Sequence, residues 1–343
     1  MGLDRNDLQP VFSAFRPGRD IRKIQTLTSG HIHGSWKLLD SGGDAYVLQR
    51  INQQVFSRLD ALAFNTNALH RALPREASGL RFPRLYTDPL QELLHRSQDG
   101  SIWRLQEFLL DTYTIDRCAN EHMAFDAGRA AGQFLRTLNR AIPEPLMETI
   151  AGFHDIDQRW QQLTDTVAKE PDRLSKVSDI WSHLQVHWEE LRPLLPKGLP
   201  VRNVHNDPKL GNMLFEEGTD HLIAVIDWDT IMPGTLLTDY GDLVRSVCAT
   251  APEDEADTGK VAINEEYLRE VRSGFISGLG TLLSQNEADE LDKGPIWIIL
   301  EQAIRFFNDY LADDVYYPVA YETQNLDRTR NQLALLESYV EKV

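Results

Sequence analysis

Between residues 22 and 51 the chain reads RKIQTLTSGHIHGSWKLLDSGGDAYVLQRI, short apolar and β-branched runs punctuated by Ser29, Gly30, Gly34, Gly42 and Gly43. Runs of that length between turn-forming residues predict three antiparallel strands joined by tight turns. Over residues 58–73 the period changes: Leu59, Leu62, Leu69 and Leu73 fall at helical spacing and Pro74 closes the segment, so a helix follows the strands. RFPRLY (81–86), QELLHR (91–96) and SIWRLQEFLL (101–110) then read as further strands.

From about residue 120 the apolar positions take up the period of long helices, over 120–140, 155–169, 175–195, 263–283, 286–312 and 325–341. Among them, residues 204–230 hold two apolar runs that read as a short hairpin. A small sheet-rich part followed by a large helical part predicts an α+β fold of two lobes with a cleft between them. The change of texture places the first lobe at residues 1–110 and the helical lobe at 112–343, with the hinge near 105–111.

With 343 residues, 42% hydrophobic and 25% charged, the chain is long enough for two cores. Its formal net charge of -17 argues against nucleic acid, which requires clustered Lys and Arg. Cys118 and Cys248 lie far apart without C-x-x-C spacing, so neither a disulfide framework nor a zinc site is indicated. The first residues, MGLDRNDLQPVFSAF, lack the basic-then-apolar order of a secretory signal, and no apolar run reaches the roughly 18 residues of a membrane span. The expectation is a cytoplasmic protein with no membrane partner.

Candidate chemistry concentrates in the hairpin. VHNDPKLGNMLF (204–215) carries His205, Asn206, Asp207, Lys209 and Asn212, and LIAVIDWDT (222–230) brings Asp227 and Asp229 to the end of the next strand. H-x-D-x-K-x-x-N followed by a strand-end Asp has the spacing of a kinase catalytic loop and its metal-binding carboxylate. Phosphoryl transfer needs a carboxylate to orient the attacking hydroxyl, the part open to Asp207. Hard oxygen ligands for Mg2+ come from Asn212 and Asp227, and Lys209 can offset charge on the transferring group. Taken singly, Asp207 could be an Asx turn and Asp227 a strand-end cap; Asp229 could assist the metal or hold the loop. Asp239 and Asp242 read as structural, capping a helix start and bracing the loop.

At these residues the chain resembles the aminoglycoside phosphotransferase and choline kinase-like family, and within it is most similar to the N-acetylhexosamine 1-kinases. SGHIHGSWKL with YVLQRINQQVF resembles the family's glycine-containing turn and following strand. HNDPKLGNMLF with AVIDWDTIMPGTLLTDYGDLVRS resembles its catalytic and metal segment, and LEQAIRFFNDYLADDVYY with NLDRTRNQLALL its C-terminal helices. The resemblance implies a protein-kinase-like fold and an ATP- and Mg2+-dependent phosphotransferase acting on a small-molecule acceptor. The implied reaction is phosphorylation of the C1 hydroxyl of an N-acetylhexosamine. Position by position it implies Asp207 as base, Lys209 on phosphate, and Asn212 and Asp227 on the metal. Arg305 and Tyr316 then line the acceptor pocket. On residues alone, Arg305 could instead form an i,i+4 pair with Glu301, and Tyr316 could as well pack on a helix end.

The nucleotide side departs from protein kinases. The turn around Gly30 and His31 lacks a full G-x-G-x-x-G, and Gln49 stands where the strand lysine is expected, with Arg50 beside it. Because side chains alternate, only one of those two faces the cleft. Main-chain groups around Glu107, Phe108 and Leu109 are expected to meet adenine, though a plain edge strand fits the same residues. Two other readings stay open: a kinase of homoserine, choline, an aminoglycoside or another sugar, and a catalytically inactive kinase-like binding protein. His183 and His187, one helical turn apart, read as surface or amphipathic residues, with a metal role only as the lesser alternative.

Overall fold

The computed structural model describes residues 3–27, 32–219 and 221–343. Three strands, β1 (Ile21–Leu27), β2 (Gly34–Asp40) and β3 (Ala45–Arg50), form where the turn residues predict them and pair antiparallel. After helix α2 (Leu59–Ala72) come the short strands β4 (Glu76–Ala77), β5 (Leu80–Arg81), β6 (Leu85–Tyr86) and β7 (His95–Arg96), then β8 (Ile102–Glu107) and β9 (Thr112–Tyr113). The main sheet runs β1-β2-β3-β8-β6, with β7 also on β8.

Strand alternation gives this sheet two unlike faces. Trp36, Leu38, Tyr46, Leu48, Trp103 and Leu105 form one, buried against Leu8, Val11, Phe12 and Phe15 of helix α1 (Arg5–Phe15). That helix has no counterpart in the sequence reading, which took the first residues only as lacking a leader pattern. It starts at Asp4, whose carboxylate accepts from Asn6 and Asp7 N–H while Asp7 returns the bond to the Asp4 N–H, a capping box. The other face, with Ser35, Lys37, Val47, Gln49, Arg104 and Gln106 in register, looks onto the helical part.

The helical part follows with α3 (Glu121–Ala141), α4 (Ile156–Lys169), α5 (Pro171–Leu174) and α6 (Ser178–Leu191). Strands β10 (Arg202–Val204), β11 (Met213–Glu216), β12 (Leu222–Val225) and β13 (Met232–Gly234) come next. Helices α7 (Leu236–Val247), α8 (Glu265–Leu279), α9 (Gln285–Glu290), α10 (Lys293–Leu311) and α11 (Gln324–Val340) complete it. The helix read over 286–312 is divided into α9 and α10, and at the junction the Asp292 carbonyl accepts the Tyr339 hydroxyl at 2.8 Å. Tight packing of α3 on α8 depends on missing side chains: a Cβ on Gly128 would sit 2.3 Å from the Val271 carbonyl oxygen, and one on Gly274 2.2 Å from that of Phe125. Among the described residues no helix is long and apolar enough to cross a membrane.

Candidate active site

The hairpin strands β11 and β12 pair antiparallel, and the chain entering and leaving them carries the polar cluster. Asp207 follows Asn206, whose φ of 64° is left-handed, a conformation Asn tolerates better than most residues. Two main-chain bonds hold that turn: the Asp239 carboxylate accepts the N–H of His205 at 2.8 Å and of Asn206 at 2.7 Å. Asp239 lies inside α7, whose cap is Thr235, so the cap expected of Asp239 is corrected and its bracing of the loop is what the geometry gives. Burial, partly offset by His205, pushes its carboxyl up to about 6.

His205 joins the two sides of the hairpin. Its Nε2 lies 2.9 Å from the Ile226 carbonyl and its Nδ1 accepts the Asp207 N–H at 3.3 Å, a pairing that puts a hydrogen on Nε2. Asp207 Oδ2 accepts from Lys209 Nζ and Asn212 Nδ2, each at 2.9 Å. Burial raises the Asp207 carboxyl, but the Lys209 charge and hydrogen bond outweigh it and hold the group below its ordinary value. The same pair raises Lys209 against burial. Because Asn212 spends its amide N–H groups on Asp207, its Oδ1 is left without a donor among the described residues.

Asp227 also has a left-handed φ, 68°. Among the described residues its carboxylate accepts no hydrogen bond and pairs with no cation, and burial followed by the charge of Asp229 raises its pKa. That is the signature of a carboxylate waiting for a positive partner. With the free Oδ1 of Asn212 it offers hard oxygen donors that fit a divalent cation of the magnesium type.

Asp229 is differently placed. Both its oxygens are taken by Arg104, through Nη1 and, at 2.7 Å, through Nη2, and His33 Nε2 lies 2.8 Å from Oδ2. Despite burial, Arg104 and His33 hold its carboxyl well below the carboxylate range. It therefore holds the loop, and Arg104 and His33 join the sheet to the helical part. Arg104 also donates to Gln49 Oε1 at 3.2 and 2.6 Å. Of the two candidates on β3, Gln49 thus faces the cleft, while Arg50 lies on the other face with Ser101 and the Trp103 ring. Sequence reasoning missed Arg104. Its only signal was a lone arginine inside the apolar strand SIWRLQEFLL.

At the hinge the N–H of Glu107 donates to Arg84 O and that of Phe108 to Ala45 O, so both are spent in the sheet. The Glu107 carboxylate is held by Arg75 and by the Arg84 N–H. Leu109 N–H is free among the described residues. Gly30 and His31 lie outside the described residues.

Arg305 and Tyr316 do come together. With Asn52, Val55, Ile150, Arg159 and Tyr317 they line a cavity of ≈ 450 Å³ where the chain after β3 meets α4 and α10. The Arg305 guanidinium lies 5.4, 5.6 and 5.5 Å from the rings of Phe153, Tyr316 and Tyr317. Its i,i+4 contact with Glu301 is long, 3.9 Å, because Glu301 is engaged by His154 Nδ1 at 3.1 and 3.2 Å. His154 Nε2 lies 2.9 Å from the Asn206 carbonyl. With acceptors on both ring nitrogens His154 carries both protons. The Glu301 charge raises its pKa against burial. The cavity wall is thereby tied to the residue preceding Asp207.

The profile of the phosphotransferase enzyme family matches residues 23–272. Solved structures with the same fold include the microcompartment-associated aminopropanol kinase, 15% identical with TM-score 0.61, covering 98% of each chain. A spectinomycin phosphotransferase in complex with ADP and spectinomycin is 14% identical with TM-score 0.60, covering 100% of this chain and 99% of its own. An aminoglycoside phosphotransferase from Alicyclobacillus acidocaldarius is 14% identical with TM-score 0.58, covering 100% and 97%. At such identities the likeness speaks for the fold alone, whereas the profile spans well over half of the sequence. On that match the chain belongs to the phosphotransferase enzyme family, as a small-molecule kinase of protein-kinase-like fold.

Proposed function

We propose that this protein transfers the γ-phosphoryl group of ATP to the C1 hydroxyl of an N-acetylhexosamine, giving the sugar 1-phosphate. The observation that carries the kinase reading of the site is the unpaired, half-buried carboxylate of Asp227 beside the Asn212 Oδ1, which is free among the described residues, and an Asp207 already fixed by its neighbours. Asn212 and Asp227 would hold Mg2+, which would supply charge neutralisation for the nucleotide phosphates. Asp207 accepts a hydrogen bond from the acceptor hydroxyl and aims its lone pair in line with the phosphorus. A carboxylate held this acidic is a weak base, so its main work is orientation. Lys209 then stabilises charge on the moving group.

The Leu109 N–H meets the adenine edge, and the residue 1–110 lobe, closed by Gln49 and Arg104 on its cleft face, covers the phosphates. Arg305 and Tyr316 hydrogen-bond sugar hydroxyls. The lining supports a neutral acceptor over an amine. Asp309, the cavity's carboxylate, already accepts the N–H of Tyr316 and Tyr317 at 2.8 Å each and Asn325 Nδ2 at 3.1 Å. Asp313 and Asp314 pair with Arg173. A cationic acceptor would meet Arg159 and Arg305 with no spare carboxylate. Two free thiols, Cys118 and Cys248, suit a cytoplasmic setting.

Incubation with ATP, Mg2+ and a panel of N-acetylglucosamine, N-acetylgalactosamine, plain hexoses, homoserine, choline and kanamycin tests this reading. ADP release with a C1-phosphate by phosphorus NMR on an N-acetylhexosamine is expected. Transfer only to an amine-bearing acceptor would overturn the sugar assignment, and nucleotide binding without any transfer would favour the inactive kinase-like alternative.

A further inference from the structure

Among the described residues, three groups of imidazole and carboxylate side chains converge closely enough to share an ion. In the cleft, His33, Asp227 and Asp229 do so, but Arg104 already grips both oxygens of Asp229. On α3, His122 and Asp126 meet His221, yet Arg129 holds Asp126 Oδ1 at 3.1 and 3.0 Å and brings a fixed positive charge to the place an ion would take. The third group has no such occupant. His183 and His187 of α6 direct their Nε2 atoms at one oxygen, Oε1 of Glu337 on α11, at 2.8 and 3.2 Å. Among the described residues no lysine or arginine pairs with Glu337.

We propose that His183, His187 and Glu337 form a binding site for a divalent transition metal of borderline softness, represented by Zn2+. Ligand spacing supports this. Around tetrahedral Zn2+ with Zn–N and Zn–O bonds of about 2.0–2.1 Å, neighbouring donor atoms stand about 3.3 Å apart. The two N···O separations are already within about half an ångström of that, and all three donor atoms lie within 4.8 Å of one another, so small shifts of these side chains complete three corners. One helical turn sets the imidazoles side by side, with ring centroids 4.9 Å apart. Side-chain exposures of 51% for His183 and 43% for Glu337 admit an ion and leave water to fill the fourth corner, while His187 at 13% is anchored by packing.

The proton balance is simple. Without metal each Nε2 carries the hydrogen that it shares with the carboxylate; on binding, that proton moves to Nδ1 or is released to solvent, and the freed lone pair takes the ion. Two imidazoles and one carboxylate match Zn2+, Ni2+ or Co2+ and suit the harder Mg2+ poorly. The ion would clip α6 to α11, which lie 150 residues apart at the contact. The site uses none of the cleft residues, so the proposal does not depend on which acceptor is used.

The test is titration of the chelator-stripped full chain with Zn2+ by calorimetry in the presence of millimolar Mg2+, repeated on His183→Gln, His187→Gln, Glu337→Gln, His221→Gln and Asp227→Asn. One Zn2+ per chain is expected, weakened at least about tenfold in the first three variants and unchanged in the last two. Binding should raise the thermal midpoint of the wild type and not of His183→Gln, whose exposed position keeps the fold. Co2+ in place of Zn2+ should give a visible band that His183→Gln abolishes. Unchanged affinity in His183→Gln and Glu337→Gln, loss in His221→Gln or Asp227→Asn instead, or no binding below about 0.1 mM Zn2+ would each overturn the site.

Discussion

The floor and the roof of the cleft are built on opposite principles. In the floor, Asp207, Lys209 and Asn212 fix one another within five residues of chain, and the loop beyond, closed by the Asn206 turn and His205, is short. In the roof, the cation comes from Arg104, 55 residues after the Gln49 that steadies it and 125 before the Asp229 that neutralises it. A local network leaves a motif in the sequence. A non-local one leaves single residues that look ordinary until the sheet register and the packing of two parts put them together.

The floor is tested most severely by Asp207→Asn, which keeps the shape and the Asn212 contact but removes the orienting charge. Turnover should fall by at least about a hundredfold, and by up to about 10⁴-fold, with the thermal midpoint little changed. A turnover within tenfold of wild type would sink the assignment of Asp207. For the roof, Arg104→Gln strands Asp229 as an uncompensated buried charge, and a loss of about 3–5 kcal/mol in denaturant unfolding is expected. Adding Asp229→Asn should recover much of it. If the two losses simply add, the roof is not the coupled unit described here.

Beside the floor stands His154, the link from the cavity wall to the Asn206 carbonyl. Its folded-state pKa is raised, so the charged ring stabilises the fold fully below the ordinary value of about 6.5, and the contribution is lost as pH rises through the folded value. His154→Gln should cost about 1.5–3 kcal/mol at pH 6, with the gap from wild type closing as pH rises; a gap that widens instead would contradict a doubly protonated ring. Smallest of all, Gln49→Ala should cost about 1 kcal/mol through the lost bonds to Arg104, and the ATP KM should move less than about threefold. A tenfold rise would make Gln49 a phosphate contact and not a prop.

These contrasts explain what was legible. The three strands from 22 to 51 and the long helices were readable because turn residues and apolar period are local properties, and the hairpin motif because its bonds are. Helix α1 was missed: its decisive features, the Asp4 cap and one apolar stripe, are short, and its partner face on the sheet is not visible from eleven residues. Glu107 looked like hinge chemistry, yet its N–H and carboxylate serve Arg84 and Arg75, partners that strand pairing alone brings near. Arg305 was readable as a candidate in either of two roles, and tertiary contacts give it features of both: its guanidinium lines the cavity and keeps a long contact with a Glu301 that His154 engages.

By itself the sequence determined the α+β order of elements, the kinase-type spacing from His205 to Asp227, and the shortage of clustered positive charge. These are set by period, turn chemistry and composition, which need no third dimension. Only the tertiary structure decided that Asp229 holds a loop while Asp227 stays free, that an arginine on β8 faces the cleft beside Gln49, and that Glu337 meets two histidines of another helix. The reason is physical: the charge state and partners of a buried group depend on whatever packs within a few ångströms of it, and chain distance says nothing of that once strands pair and helices dock.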